Sequence, residues 1–129
     1  MPVETLIVDD SDTFRRILGT RLQQLGCTIV AEARTAAQGL DLFRTHQPRL
    51  VTLDLLMPGS DQLTANDLFT RIREESPATV IIIISTHSRD PNASHFLAAG
   101  ALAYMEKNFM NFDQLAAKLK AAFPEIGTR

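Results

Sequence analysis

The chain has 129 residues and a mass of 14.3 kDa, about one domain on the usual scale of roughly 100–200 residues per domain. Its 13 lysines and arginines against 15 aspartates and glutamates argue against a general binder of nucleic acid or of acidic membranes. The single cysteine, Cys27, excludes an internal disulfide and a zinc site built from several cysteines. The longest aliphatic run, residues 80–84, is far shorter than the roughly 20 residues that span a bilayer, and no signal peptide is visible. We therefore expect a cytoplasmic protein in which residues 1–129 form a single domain.

Five short apolar runs alternate with five helical patterns along the chain. The runs predict β-strands at residues 5–8, 28–31, 50–53, 80–84 and 102–105. The first, third and fourth runs are almost continuously apolar, which is typical of strands that a parallel sheet buries on both faces. The alternation therefore predicts an α/β fold with a doubly wound, five-stranded parallel sheet and five helices.

The ends of the helices are predicted from capping residues and from an apolar period of 3.6 residues. Asp12 is expected to cap the first helix, Gly26 to end it, and Ile17 to lie on its buried face. The third helix is predicted at residues 67–73, and the fourth is expected to begin at Asp90.

Polar side chains follow four of the five predicted strands. They are Asp9 and Asp10, Asp54, Ser85 and Thr86, and Lys107. In open sheets of this kind, sites form at the carboxyl ends of the strands, so we expect these side chains to lie together. Each residue alone has an ordinary explanation as a helix cap or a surface charge. Their joint placement at one edge favours a functional site.

Carboxylates that converge in this way repel one another, and a hard divalent cation relieves the repulsion. Mg²⁺ prefers oxygen ligands and keeps several waters, so two carboxylates and one backbone carbonyl would suffice as protein ligands. One aspartate can then act as a nucleophile toward phosphorus and form an aspartyl-phosphate. A lysine and a nearby hydroxyl suit the task of neutralising and binding the new phosphoryl group.

Four segments carry a resemblance to a known family. They are residues 6–10, residues 51–58, residues 83–86 and residues 100–107. In this order and spacing they resemble the receiver domain of bacterial two-component response regulators, of the chemotaxis-type single receiver, from Val3 to about Phe123. The resemblance implies a flavodoxin-like fold with the strand order 2-1-3-4-5.

The resemblance also implies roles for the residues that would bind metal and phosphate. Asp54 is similar to the phosphoacceptor of the family, and Asp10 to a direct Mg²⁺ ligand. Asp9 is similar to the second acid, which acts mainly through water, and the backbone carbonyl of Leu56 would be a further ligand. Lys107 is similar to the phosphate-binding lysine.

Two further positions resemble the switch of the family. Ser85 fits the hydroxyl that is drawn to the phosphoryl group, with Thr86 in the adjoining place, and an alignment slipped by one residue would exchange them. Tyr104 fits the aromatic residue that swings inward when the hydroxyl moves.

The sequence departs from the family near the site. Residues 57–65 form a connection about three residues longer than usual, and residues 108–111 form one that is longer by one. Asn108 stands where the family commonly has a proline after a cis bond, which predicts a trans Lys107–Asn108 peptide. Leu56 and His87 occupy variable places that flank the site, and an apolar Leu56 cannot orient an attacking water.

The resemblance implies a phosphorylation-controlled signalling switch. A sensor histidine kinase or a histidine phosphotransfer protein would donate the phosphoryl group, and output would run through the face of the fourth helix, fifth strand and fifth helix. Such a chain catalyses only its own phosphorylation and dephosphorylation, so we do not expect a conventional enzyme. No membrane contact and no direct binding of nucleic acid are expected. Whether phosphorylation drives formation of a homodimer stays open.

Two alternatives remain at this point. The chain could be the receiver fragment of a larger DNA-binding response regulator, because nothing in residues 124–129 distinguishes a natural end from a boundary. It could also be an Mg²⁺-dependent phosphohydrolase, although Phe14 stands where the usual Asp-x-Asp-x-Thr pattern of that class needs threonine. Dinucleotide binding is disfavoured because no Gly-x-Gly-x-x-Gly follows the first strand.

Overall fold

The computed structural model describes residues 2–57, 63–86, 93–108 and 110–126. Strands and helices alternate throughout these residues. They are β1 (Val3–Val8), α1 (Asp12–Leu25), β2 (Cys27–Ala33), α2 (Ala36–His46), β3 (Leu50–Asp54), α3 (Ala65–Glu75), β4 (Val80–Ser85), α4 (Ala93–Ala98), β5 (Ala103–Glu106) and α5 (Phe112–Ala122). The strands form one parallel sheet in the order β2-β1-β3-β4-β5, which confirms the predicted topology.

Helices cover both faces of the sheet, so the central strands are buried as their apolar runs predict. Every residue of β3 is buried, and four isoleucines of β4 are at most 1% exposed. One face is covered by buried side chains of α2, α3 and α4, which we call the α2–α4 cluster. They include Phe43, Leu68, Phe69, Ile72 and Phe96. The α1–α5 cluster covers the other face, with Leu18, Leu22, Leu115 and Leu119 from its helices. No helix among the described residues is long and apolar enough to cross a membrane.

The start of α1 differs by one residue from the prediction. Ser11 caps the helix, because its hydroxyl accepts a hydrogen bond from the Phe14 N–H at 3.1 Å. The Ser11 N–H in turn donates to Oδ1 of Asp9 at 2.8 Å, which turns the chain before Asp12 is reached. Asp12, predicted as the cap, is therefore the first helical residue. Gly26 ends the helix with a left-handed φ of 106°, as predicted.

The predicted burial of Ile17 is wrong. Its side chain is 48% exposed, whereas Leu18 and Leu22 on the same helix are fully buried. One residue corresponds to about 100° of rotation around a helix, so Ile17 lies outside the stripe that these two leucines define.

The third helix is longer than predicted at both ends. It begins at Ala65 because Thr64 and Asp67 form a reciprocal capping box, with both hydrogen bonds at 3.0 Å. It ends at Glu75 rather than at residue 73. Most of the predicted longer connection after Met57 lies outside the described residues, as does the predicted cap Asp90.

Arg49 joins the two ends of the described chain. Its Nη1 donates to Oε2 of Glu125 at 2.9 Å and to the carbonyl of Pro2 at 3.4 Å. Its guanidinium also lies over the ring of Phe123, 5.0 Å from the ring centroid. Because Arg49 directly precedes β3, these contacts lie at the amino edge of the sheet. The polar residues that follow the strands lie at the opposite, carboxyl edge of the sheet.

We predict that Thr52→Val stabilises the fold. Thr52 is buried in β3, and its hydroxyl has no hydrogen-bond partner within the described part of the chain. Replacing an unsatisfied buried hydroxyl by a methyl group removes its desolvation penalty, so the free energy of unfolding should rise by about 1 kcal/mol. Urea denaturation measures the difference.

Thr5→Val is the matched control. Thr5 is also fully buried, in β1, but its hydroxyl donates to the Val3 carbonyl at 3.0 Å. Loss of this bond should lower the free energy of unfolding by about 1 kcal/mol. A loss of stability in Thr52→Val as large as that in Thr5→Val would show that the Thr52 hydroxyl is hydrogen-bonded in solution.

Candidate functional site

Three aspartates meet at the carboxyl edge of the sheet, as the sequence predicts. Asp9 and Asp10 directly follow β1, and Asp54 is the last residue of β3. One carboxylate oxygen from each lies within 4.8 Å of the others. Asp9 and Asp54 are both only 2% exposed, and Asp10 is half-buried. Like charges are therefore held together where little water can screen them.

Lys107 supplies positive charge to this cluster. Its Nζ lies 2.8 Å from Oδ2 of Asp9 and 3.4 Å from Oδ2 of Asp54, and its side chain is only 12% exposed. The backbone N–H of Lys107 donates to the carbonyl of Ser85 at 2.7 Å, so the pairing of β4 with β5 aims the ammonium at the carboxylates. All peptide bonds of the described residues are trans, including Lys107–Asn108, as predicted.

Burial dominates the electrostatics of Asp54. It raises the pKa of this carboxyl to about 6, and the charge of Asp9 acts in the same direction. The Leu56 N–H, which donates to Oδ1 of Asp54 at 3.1 Å, and the Lys107 ammonium oppose the rise. Burial also lowers the pKa of Lys107, but the hydrogen bond to Asp9 and the charges of both aspartates outweigh it and leave that pKa raised.

Among the described residues, the other predicted site residues lie on β4 and β5 or shortly after β3 and β4. Ser85 ends β4 and is completely buried, and Thr86 after it is half-buried. Tyr104 pairs with Ile83 in the sheet and packs, half-buried, against the α2–α4 cluster. The side chain of Leu56 is exposed. His87 lies outside the described residues.

Two residues of α1 contact the site without having been predicted to do so. The ring centroid of Phe14 lies 4.6 Å from Nζ of Lys107. Arg15 donates to the backbone carbonyl of Asp9 at 2.6 Å and to Glu32 at 3.0 Å. Helical side chains point back toward the N-terminus, so residues in the first turn after an acidic pair can reach it. That spacing was the signal available in the sequence for these two residues.

The family model described as response regulator receiver domain matches residues 5–120. The chain belongs to this family. The match confirms the predicted resemblance and identifies the chain as a receiver domain of two-component signalling. Receiver domains generally bind Mg²⁺, and the cluster of Asp9, Asp10 and Asp54 could hold a metal ion.

Curated relatives of different lengths share the receiver sequence. A protein-glutamate methylesterase/protein-glutamine glutaminase of Natronomonas pharaonis is 36% identical over 107 residues, which cover 81% of this chain and 29% of the relative. Chemotaxis protein CheY of Bacillus subtilis is 33% identical over 104 residues, covering 81% of this chain and 84% of the relative. The chain thus spans less than a third of the length of the methylesterase.

Solved structures confirm the fold. The receiver domain of NtrX from Brucella abortus aligns with a TM-score of 0.80 and 28% identity, covering 94% of this chain and 98% of that one. The CheX–CheY–BeF3–Mg complex of Borrelia burgdorferi aligns with a TM-score of 0.82 at 24% identity, covering 95% of this chain and 90% of that one. The second comparison shows the shared architecture alone.

We predict that Asp54→Asn stabilises the protein at neutral pH in Mg²⁺-free buffer. The folded carboxyl keeps its proton up to a pKa of about 6, whereas the unfolded carboxyl loses it near its ordinary pKa of 3.8. The free energy of unfolding of the wild type should therefore fall by about 2–3 kcal/mol as the pH rises from 4 to 7. The free energy of unfolding of Asp54→Asn should not show this fall between pH 4 and 7.

Urea denaturation across this pH range measures the effect, and Asp41→Asn, at an exposed position of α2, controls for the change in net charge. Identical pH profiles for the wild type and Asp54→Asn would contradict the buried, destabilising charge at Asp54.

Proposed function

We propose that this chain is a phosphorylation-controlled switch in which Asp54 accepts a phosphoryl group from a sensor histidine kinase or a histidine phosphotransfer protein. The observation that carries the proposal is the position of the Asp54 carboxylate. It is buried at the end of β3, lies beside the carboxylates of Asp9 and Asp10, and is within 3.4 Å of the Lys107 ammonium. An isolated buried carboxylate would be costly, and this grouping suits chemistry on a phosphoryl group.

The proposed transfer is a direct displacement at phosphorus. A carboxylate oxygen of Asp54 forms the new oxygen–phosphorus bond while the phosphorus–nitrogen bond to the donor histidine breaks. The departing imidazole takes up a proton and leaves neutral. Hydrolysis of the resulting acyl phosphate by water returns the Asp54 carboxylate and releases inorganic phosphate. We propose that output comes from the change in charge at Asp54.

The donor set of the site suits Mg²⁺. We propose that Asp10 and Asp54 bind it directly with the backbone carbonyl of Leu56, and that Asp9 acts mainly through water. These ligands are hard oxygens, as Mg²⁺ requires, and their mutual repulsion favours a divalent cation. When bound, Mg²⁺ neutralises negative charge on the carboxylates and on phosphoryl oxygens.

Lys107 can exchange one anionic partner for another within the site. Its ammonium already reaches both Asp9 and Asp54, so a phosphoryl group on Asp54 adds oxygens close to its present position. A charge-assisted hydrogen bond to such an oxygen is stronger than one between neutral groups. We propose that this exchange, together with a hydrogen bond from the Ser85 hydroxyl, stabilises the phosphorylated state.

The output face follows from the connection of Ser85 to β5. Ser85 pairs with Glu106, and the Ser85 carbonyl accepts a hydrogen bond from the Lys107 N–H. A shift of Ser85 would therefore also move β5. Tyr104 lies two residues before Glu106 on that strand and is half-buried, and we propose that it moves inward when Ser85 shifts. Thr86 takes the place beside the switch hydroxyl. We propose that partners read the face formed by α4, β5 and α5.

Two biological settings fit the comparisons. CheY of Bacillus subtilis is mostly receiver sequence, whereas in the nitrate/nitrite response regulator NarL of Escherichia coli the matched region is 57% of the protein. We propose a single receiver domain over residues 1–129 that acts in the cytoplasm through protein contacts, and a receiver joined to a longer regulator is the second candidate. Phosphorylation-dependent pairing of two copies is compatible with both.

Phosphorylation by a small acyl-phosphate donor with Mg²⁺ tests the central proposal. Intact mass spectrometry should show one phosphoryl group on the wild type and none on Asp54→Asn. Asp41→Asn, which changes an exposed carboxylate on α2, should be labelled like the wild type. Equal labelling of the wild type and Asp54→Asn would refute Asp54 as the acceptor.

We predict that Mg²⁺ stabilises the unphosphorylated fold. A ligand that binds only the native state adds RT ln(1 + [L]/Kd), which is about 1.4 kcal/mol at ten times Kd. The midpoint of thermal unfolding should therefore rise in millimolar Mg²⁺ at constant ionic strength. Asp10→Ala should abolish the rise and increase the metal-free stability, because it removes one of three clustered charges. A wild-type unfolding midpoint that does not change when Mg²⁺ is added would argue against the metal site.

We also predict a slow loss of the phosphoryl group. Hydrolysis needs a water held in line with phosphorus, and the apolar side chain of Leu56 offers no group to hold it. Leu56 is 43% exposed, so Leu56→Asn should be tolerated by the fold and should speed the loss. The decay is followed by intact mass after removal of the donor. Faster decay in the wild type than in the variant is the contrary result.

A further inference from the structure

The Lys107 ammonium contacts the ring of Phe14, which carries no charge, as well as the carboxylates of Asp9 and Asp54. Phe14 lies in the first turn of α1, half-buried, and packs against the α1–α5 cluster. Its ring centroid is 4.6 Å from Nζ of Lys107, within the range of a cation–π interaction. The Lys107 side chain is only 12% exposed, and partial removal from water strengthens this kind of attraction.

The ring differs from the two carboxylate partners in what happens during the proposed reaction. Bound Mg²⁺ and a phosphoryl group on Asp54 would weaken the attraction of the Asp9 and Asp54 carboxylates for the ammonium. The face of Phe14 is neutral and competes for neither group. Its attraction for the ammonium therefore persists while the carboxylate contacts change.

We propose that Phe14 is a positioning residue that holds the Lys107 ammonium at the carboxyl edge of the sheet before and after Asp54 is phosphorylated. The proposal rests on the function proposed for Asp54 and Lys107. Its expected consequence is kinetic, because a lysine that is placed in advance stabilises the developing phosphoryl charge without first being ordered. Phe14→Leu keeps an apolar side chain but loses the ring face. It should slow phosphorylation of Asp54 by about threefold to tenfold.

Graded fluorination of the ring separates this role from packing. Fluorine withdraws electron density from the ring face and changes the shape of the side chain little. Mono-, di- and trifluorinated phenylalanine placed at position 14 should lower the logarithm of the rate constant in even steps. Phe14→Tyr, which keeps the ring face, should restore a rate close to that of the wild type.

A second readout does not depend on phosphorylation. Protons held over an aromatic face are shifted upfield in NMR spectra. The ε-methylene protons of Lys107, observed in protein labelled with ¹³C-lysine, should show this shift in the wild type and lose it in Phe14→Leu. The measurement is made with and without Mg²⁺ and again with the phosphorylated protein, because the proposal requires the contact in all three states.

Phe123 provides the matched control. Its ring also lies against a cation, the guanidinium of Arg49 at 5.0 Å, but at the opposite edge of the sheet. The same fluorinated residues at position 123 should leave the rate constant unchanged. A rate constant that stays level across the series at position 14, or a Lys107 without the upfield shift, overturns the proposal. A wild type that takes up no phosphoryl group at all would instead overturn the function proposed for Asp54, while the NMR shift still decides whether the contact exists.

Discussion

Repulsion among carboxylates at the carboxyl ends of β1 and β3 is the constraint on which the site depends. Parallel pairing of these central strands brings Asp9 and Asp54 to the same edge, and helices on both faces keep water away from them. The fold therefore creates a destabilising concentration of charge. Lys107, which follows β5, offsets part of it. The pKa of Asp54 nevertheless stays raised, chiefly because the carboxyl is buried and also because of the charge of Asp9. A site with residual negative charge is ready to bind a cation.

Strand positions and strand order were accessible from the sequence for different reasons. The apolar runs of β3 and β4 have no polar face, so burial on both sides was their only stable arrangement. The order of the strands, by contrast, came from the family resemblance and not from the apolar pattern. Asp54 and Lys107 were predictable as site residues because they directly follow strands, and a parallel sheet brings such residues to one edge.

Details set by tertiary contacts were not accessible in this way. Ser11 and Asp12 are both good helix caps, and the Asp9 side chain that decides between them reaches across the turn. The contact between Phe14 and Lys107 joins the first turn of α1 to the end of β5. The spacing of Phe14 from the acidic pair places it near the site, but the sequence does not show which side chain its ring meets there. The register shift between Thr5 and Leu6 in the pairing of β1 with β2 has no counterpart in the apolar pattern either.

Arg49 gives the domain a second organised edge, remote from the first. Arg49 hydrogen-bonds to both Pro2 and Glu125, so these two residues lie close together. The strands between the two edges are 4–7 residues long, which separates this junction from the carboxylates by roughly 20 Å in the case of β1. A short peptide could therefore connect the segments at Pro2 and Glu125, and new termini could be opened in an exposed loop. The domain is in this sense suited to circular permutation, with the chemistry at the opposite edge undisturbed.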